Sequence, residues 1–112
     1  MESQETKIEL NKRGLVDDGV LGYTLKFPNK SILEFGIHQG TRPQKFVIFK
    51  VFTYPNEQHK GYATKLLNAF FQIVKKMNGY YEVSHFTKSG KDYIRHVIDK
   101  LSKKYDVKVT NL

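Results

Sequence analysis

Cysteine is absent from the 112-residue chain, which excludes a disulfide framework, a thiolate nucleophile and a cysteine-based zinc site. Long hydrophobic runs are absent too, and none approaches the roughly 20 residues that a bilayer-spanning helix needs. The N-terminal stretch Met1-Glu2-Ser3-Gln4-Glu5 lacks the basic and then apolar blocks of a secretory signal. A cytoplasmic setting with no membrane partner is expected. Proline is scarce, with three in all, and no Gly/Pro/Ser-rich stretch is long enough to join two domains. One domain over residues 1–112 is therefore expected, its first few residues flexible. No internal repeat is present. The motifs Gly-x4-Gly-Lys-Ser/Thr, His-Glu-x-x-His and Gly-x-Ser-x-Gly are all missing. His38, His59, His85 and His96 have no metal-ligand spacing, so no metal is expected.

Aromatic and basic residues are plentiful. Aromatics make up 13% of the chain, with eight phenylalanines and no tryptophan. Those rings must mostly be buried, which argues against disorder. Nineteen Lys and Arg stand against eleven Asp and Glu, a formal net charge of +8. Such a field attracts anions: nucleotides, nucleic acid, acidic protein faces or anionic lipid. A lysine-rich solvated surface has the same composition.

The first half of the chain reads as strands. Lys7–Leu10 is a short candidate. Tyr23, Leu25 and Phe27 alternate with Thr24 and Lys26, the period of a strand with one buried face. Pro28-Asn29-Lys30-Ser31 is a turn that joins this strand to Ile32–His38 in an antiparallel hairpin. A second turn covers Gln39–Gln44. Phe46–Phe52 is apolar at nearly every position, which predicts a central strand covered on both faces. Ala63, Leu66, Leu67, Phe70, Val74 and Met77 form one helical stripe that ends at Asn78-Gly79. Tyr80–Phe86 reads as a strand. Ser89 and Asp92 have the spacing of a capping box for a second helix, whose inner stripe is Ile94, Val97, Ile98 and Leu101. Asp106–Thr110 is a last short strand. The order predicts an α/β fold in two layers: a mixed, mostly antiparallel sheet with a β-α-β-α-β C-terminal half.

The segment from Phe52 to Leu67 concentrates the chemistry. A buried strand ends, a short loop with Pro55 follows, and a helix starts beside a glycine. A helix N-terminus carries unpaired N–H groups and about half a positive charge, so it holds a phosphate without a charged side chain. Gly61 has no Cβ to keep a diphosphate from the backbone, Ala63 is small, and Lys60 and Lys65 add positive potential.

Gln58-His59-Lys60-Gly61-Tyr62-Ala63 resembles the Gln/Arg-x-x-Gly-x-Gly/Ala signature of the GNAT (general control-related N-acetyltransferase) superfamily. The apolar strand before it and the Leu66-Leu67 helix after it fit that family, and the resemblance spans about Tyr23 to Thr110. It implies a fold and a reaction: transfer of an acetyl group from acetyl-CoA to a primary amine. The implied cofactor-binding residues are Val51, Phe52, Thr53, Gln58, His59, Lys60, Gly61, Tyr62, Ala63 and Thr64. The pyrophosphate would lie on the amides of Gln58–Thr64. The pantetheine arm would enter a gap between Val51–Thr53 and Glu82–His85, and an N–H near Phe52 would polarise the acetyl carbonyl. The acid that protonates the leaving thiolate falls on Tyr93 or, aligned from the helix end, near Ser102. Glu34, His38 and His85 are alternatives for a base.

One departure concerns the acceptor. Family members place helices between the first two strands, whereas only Asn11–Val20, with Gly14 and Gly19, separates them here. An open acceptor side is expected, which suits an amine on a protein or other macromolecule. Two other readings share the same features: a non-catalytic binding protein of GNAT fold, and a basic nucleic-acid-binding α/β module.

Overall fold

The computed structural model describes residues 8–58, 60–83 and 88–107, with Lys88–Tyr93 as backbone only. Strands β1 (Glu9–Asp17), β2 (Val20–Phe27), β3 (Ser31–His38) and β4 (Lys45–Thr53) come first. Helix α1 (Tyr62–Lys76), strand β5 (Tyr80–Val83) and helix α2 (Lys88–Tyr105) follow. The sheet order is β1-β2-β3-β4-β5, antiparallel throughout except for the parallel pair β4–β5. This is the mixed α/β architecture that the order of elements predicts.

The period-two pattern of β2 and β3 and the helical stripe of α1 meet in one core. Leu25, Phe27, Leu33, Phe35, Phe46 and Ile48 from the sheet pack on Leu66, Leu67, Phe70, Phe71 and Val74 of α1. Phe70 sits edge-on to Phe35 and Phe46, at ring-centroid separations of 5.2 and 6.0 Å. Each such fully buried ring or leucine contributes about 1.5–3 kcal/mol relative to exposure. Ile94, Val97, Ile98 and Leu101 of α2 complete the core from beyond α1.

Both helices end alike, on a residue in the left-handed region: Asn78 (φ 54°) after α1 and Asp106 (φ 55°) after α2. The Gly79 amide donates to the Val74 carbonyl and the Val107 amide to that of Ser102, the six-to-one bond that satisfies orphan carbonyls. The predicted strand Asp106–Thr110 therefore does not start at Asp106, which is a turn residue, and Lys108–Thr110 lie outside the described residues. So do the first few residues, expected to be flexible, and the Ser84–Phe86 end of the predicted Tyr80–Phe86 strand.

Three further expectations change. Asn11–Val20 is not a connector: β1 runs on to Asp17 and turns tightly through Asp18-Gly19 into β2. Gly14 sits at φ 88° beside a register shift, which a strand absorbs as a bulge. The Ser89–Asp92 capping box does not set the start of α2, which begins at Lys88 and takes Ser89 into its first turn. Serine favours caps but is tolerated inside a helix. Finally, β4 is covered on both faces only at its start. Phe46, Val47 and Ile48 are buried, but Phe52 is 42% exposed. Helix α1 lies on one face of the sheet, and among the described residues the β5 pairing runs from Lys45 to Ile48.

Candidate functional site

The site is built on the second half of β4. Strand β4 is paired to β5 from Lys45 to Ile48, where Lys45 Nζ also meets Glu82 Oε1 at 2.8 Å. That contact raises the Lys45 pKa above its ordinary value. At the next residue the strand bulges: Glu34 faces Lys50 and Phe35 faces Ile48, leaving Phe49 as the extra residue. A bulge bends and re-aims the strand, and such features cluster beside functional sites. Beyond it, Lys50–Thr53 pair with β3 alone among the described residues.

The direction of the peptide groups there follows from Ser31, a fully buried polar side chain. Its hydroxyl donates to the Phe52 carbonyl at 3.0 Å and lies 3.0 Å from Thr53 Oγ1. The Phe52 peptide oxygen therefore points toward β3. Since N–H and C=O reverse direction at successive strand residues, those of Val51 and Thr53 face the opposite side, which has no strand partner among the described residues. The Gln58 side-chain amide reaches the Thr53 carbonyl at 3.5 Å from that side. Of the three β4 residues predicted for the site, Val51 and Thr53 present main-chain groups to the open edge, and Phe52 presents its ring to solvent.

After β4 the chain makes a single 3-10 turn, Pro55–Glu57, and reaches α1. The Tyr54 amide donates to the Lys30 carbonyl at 2.9 Å, anchoring the loop to the β2–β3 turn. The Glu57 carboxylate holds Lys60 at 3.1 Å and Lys30 at 3.5 Å, and the Lys60 contact first, then Lys30, pulls its pKa below the ordinary value. Gly61 is the N-cap of α1 at φ 84°, a conformation that costs a side-chain-bearing residue about 1–2 kcal/mol. A Cβ built at Gly61 meets nothing within 4 Å, so glycine answers to the backbone angle and not to crowding inside the protein. The Gly61 carbonyl accepts the first helical bond, from the Lys65 amide at 3.0 Å. No side chain caps the helix, and among the described residues no group accepts from the amides of Tyr62, Ala63 or Thr64. Those amides, with Ala63 buried beneath them, are the donors of the site. Tyr62 is held by Phe27, at 5.2 Å between centroids, and by Lys30 over its ring.

The remaining predicted residues are scattered. Tyr93 lies in the N-terminal turns of α2, with its side chain outside the described part, and His59 and His85 are outside the described residues. Ser102 is engaged elsewhere: its hydroxyl donates to the Val107 carbonyl at the end of α2. It also contacts the hydroxyl of Tyr81, whose pKa burial raises. Glu34 stands on the sheet face away from α1, 3.6 Å from Arg13 and in register with Lys50. His38 ends β3, beside the Thr41 and Gln44 turn contacts to its carbonyl. Sequence reasoning overlooked Ser31, Lys30, Glu57 and the Phe49 bulge. Ser31 was legible only as a turn residue, because its partners are 21 and 22 positions away.

Among the described residues, no helix is long and apolar enough to cross a membrane, and no group of three or more His, Cys, Asp or Glu could hold a metal ion. No protein-family description and no curated protein matches this chain. Among solved structures, it is similar to an aminoglycoside acetyltransferase from an uncultured soil metagenomic sample, solved in complex with trehalose. The two align with a TM-score of 0.54 at 14% identity, over 89% of this chain and 68% of that one. At that identity the likeness is one of fold: a GNAT-like fold, with family membership and substrates left to chemistry.

Proposed function

We propose that this chain is an N-acetyltransferase that moves an acetyl group from acetyl-CoA to a primary amine on a protein or other macromolecule. One observation carries the reading. The strand end Val51–Thr53, paired on one side only among the described residues, runs through a short, clamped loop into a helix whose first amides, capped only by Gly61, are likewise unpartnered among them. Exposed strand edges accept an extended amide-bearing chain by β-augmentation, and bare helix amides accept phosphate. Pantetheine and pyrophosphate are those two groups, in that order along one molecule. The residues for the cosubstrate are Val51, Phe52 and Thr53 for the arm, and Gln58, His59, Lys60, Gly61, Tyr62, Ala63 and Thr64 for the diphosphate.

The reaction needs little covalent help from the protein. The amine nitrogen attacks the thioester carbonyl, the C–N bond forms, the C–S bond breaks and the thiolate takes a proton. The chain contributes orientation and a main-chain N–H from the open edge of β4 at the developing oxyanion. Tyr93 is the proposed proton donor. The tight β1–β2 hairpin sets no helix between those strands, which fits a bulky acceptor better than an enclosed metabolite.

The test is calorimetric titration with acetyl-CoA of the wild type and of Gly61→Ala and Gly61→Glu. Both variants carry the same backbone strain, and only glutamate adds repulsion. Gly61→Glu is expected to lose at least about tenfold more affinity than Gly61→Ala. Equal, undiminished binding by both variants would remove the loop from the site. Tyr93→Phe is expected to lower turnover about 10²-fold or more with CoA binding unchanged, and unaltered turnover would exclude Tyr93.

A further inference from the structure

Away from that strand edge, the contact between α1 and α2 leaves a groove of about 1040 Å³. Its two walls repeat at four-residue spacing: Thr64, Asn68 and Gln72 on α1, and His96, Lys100 and Lys104 on α2. Residues four apart share a helix face, so each wall is straight and roughly 12 Å long, from eight residues at 1.5 Å each. The floor is apolar, formed by Phe27, Ala69, Val97 and Leu101. Tyr105 bridges the helices: its hydroxyl donates to Asn68 Oδ1 at 2.7 Å and accepts from Gln72 Nε2 at 3.3 Å.

The rim carries one sign of charge. Among the described residues, Lys65, Lys100 and Lys104 line the groove, no acidic residue does, and none of the three lysines joins an ion pair. The dipole of α2 accounts for Lys104 at its C-terminal end. It does not account for Lys65, which stands one turn into α1, at the end where a cation is disfavoured. Gathering three like charges over an apolar trough is unfavourable unless an opposite charge arrives with an apolar face. A free anion would leave the floor unused, and a neutral apolar segment would leave the lysines unpaired.

We propose that this groove docks an acidic amphipathic helix of a partner protein. About two turns of that helix lie along the walls, with apolar side chains at i, i+3, i+4 and i+7 on the floor and carboxylates toward Lys65, Lys100 and Lys104. The groove meets the proposed diphosphate site at Thr64 and Lys65, and the test therefore varies Lys100 and Lys104, which take no part in that site.

The probe is a fluorescein-labelled peptide of about 14 residues, roughly four helical turns. It carries leucine at the i, i+3, i+4, i+7 positions and glutamate elsewhere, and anisotropy is read on the full chain. Saturable binding is expected, at least about tenfold weaker for Lys100→Glu/Lys104→Glu and retained by Lys100→Arg/Lys104→Arg. Both pairs are exposed, and unchanged acetyl-CoA titration and melting check that they fold. A peptide of the same composition in scrambled order is expected to bind at least about tenfold more weakly. Equal affinity for the scrambled peptide, or for the charge-reversed protein, would overturn the proposal. So would an oligothymidylate that binds through Lys100 and Lys104 and is not displaced by the peptide, which would assign the groove to nucleic acid.

Discussion

The two halves of β4 have the same apolar character and opposite fates. Lys45–Ile48 has strand neighbours on both sides and α1 on one face, and Phe46, Val47 and Ile48 are buried. Lys50–Thr53 has β3 alone as a strand neighbour among the described residues, and Lys50 and Phe52 reach solvent. Phe46 and Phe52 are the same residue type six positions apart, one fully buried and the other 42% exposed. Composition thus does not decide which part of a strand is buried; the Phe49 bulge, where the alternation of faces is broken, marks the change. The first half anchors, and the second is held in place by a few polar contacts so that its edge stays presented.

The largest test of that contrast is a pair of truncations. Phe46→Ala is expected to cost about 3–5 kcal/mol in denaturant unfolding, and Phe52→Ala less than about 1 kcal/mol. Equal costs would mean that the halves do not differ. A smaller effect is expected at the clamp. Ser31→Ala removes the hydroxyl between the Phe52 carbonyl and Thr53, and is expected to cost about 1 kcal/mol. It should also weaken acetyl-CoA binding severalfold, and a stability loss with unchanged binding would confine Ser31 to the fold.

The smallest effects are in the pH response, and they sharpen the comparison because each half has its own ion pair. Lys45, with its pKa raised by Glu82, belongs to the closed half. Its contribution is complete at neutral pH and is lost as the pH rises above 10.5. Glu57, with its pKa lowered by Lys60 and Lys30, belongs to the loop after the open half. Its contribution is complete above pH 4.5 and is lost as the pH falls below that value. An NMR titration of the Glu57 carboxyl is expected to show a midpoint below 4.5 that moves up in Lys60→Ala. No movement would show that the loop is held without this pair.

Much of the molecule was legible from local pattern. Tyr23, Leu25 and Phe27 announce a half-buried strand, and Ala63 to Val74 announce α1, because strand and helix periods are properties of neighbours in sequence. Gly61 stood out as the start of α1, although for crowding by a ligand and not for the left-handed angle that it holds. Less legible were features that depend on strand register. Asn11–Val20 read as a connector because nothing local tells a bulge glycine from a breaking one. Phe46–Phe52 read as evenly covered because a bulge leaves no mark in composition. Ser31 and Glu57 looked like ordinary turn residues, since Ser31 finds its partners at the end of β4 and Glu57 reaches Lys30 in the β2–β3 turn.

The sequence by itself determined the order and type of the elements and the placing of a bare helix start after an apolar strand, since periodicity, turn chemistry and capping act over a few residues. Tertiary structure alone decided which end of β4 is buried, which way its peptide groups face, and that lysines from two helices gather over one groove. Those outcomes depend on pairing and packing between segments far apart in the chain, which no short stretch of residues encodes.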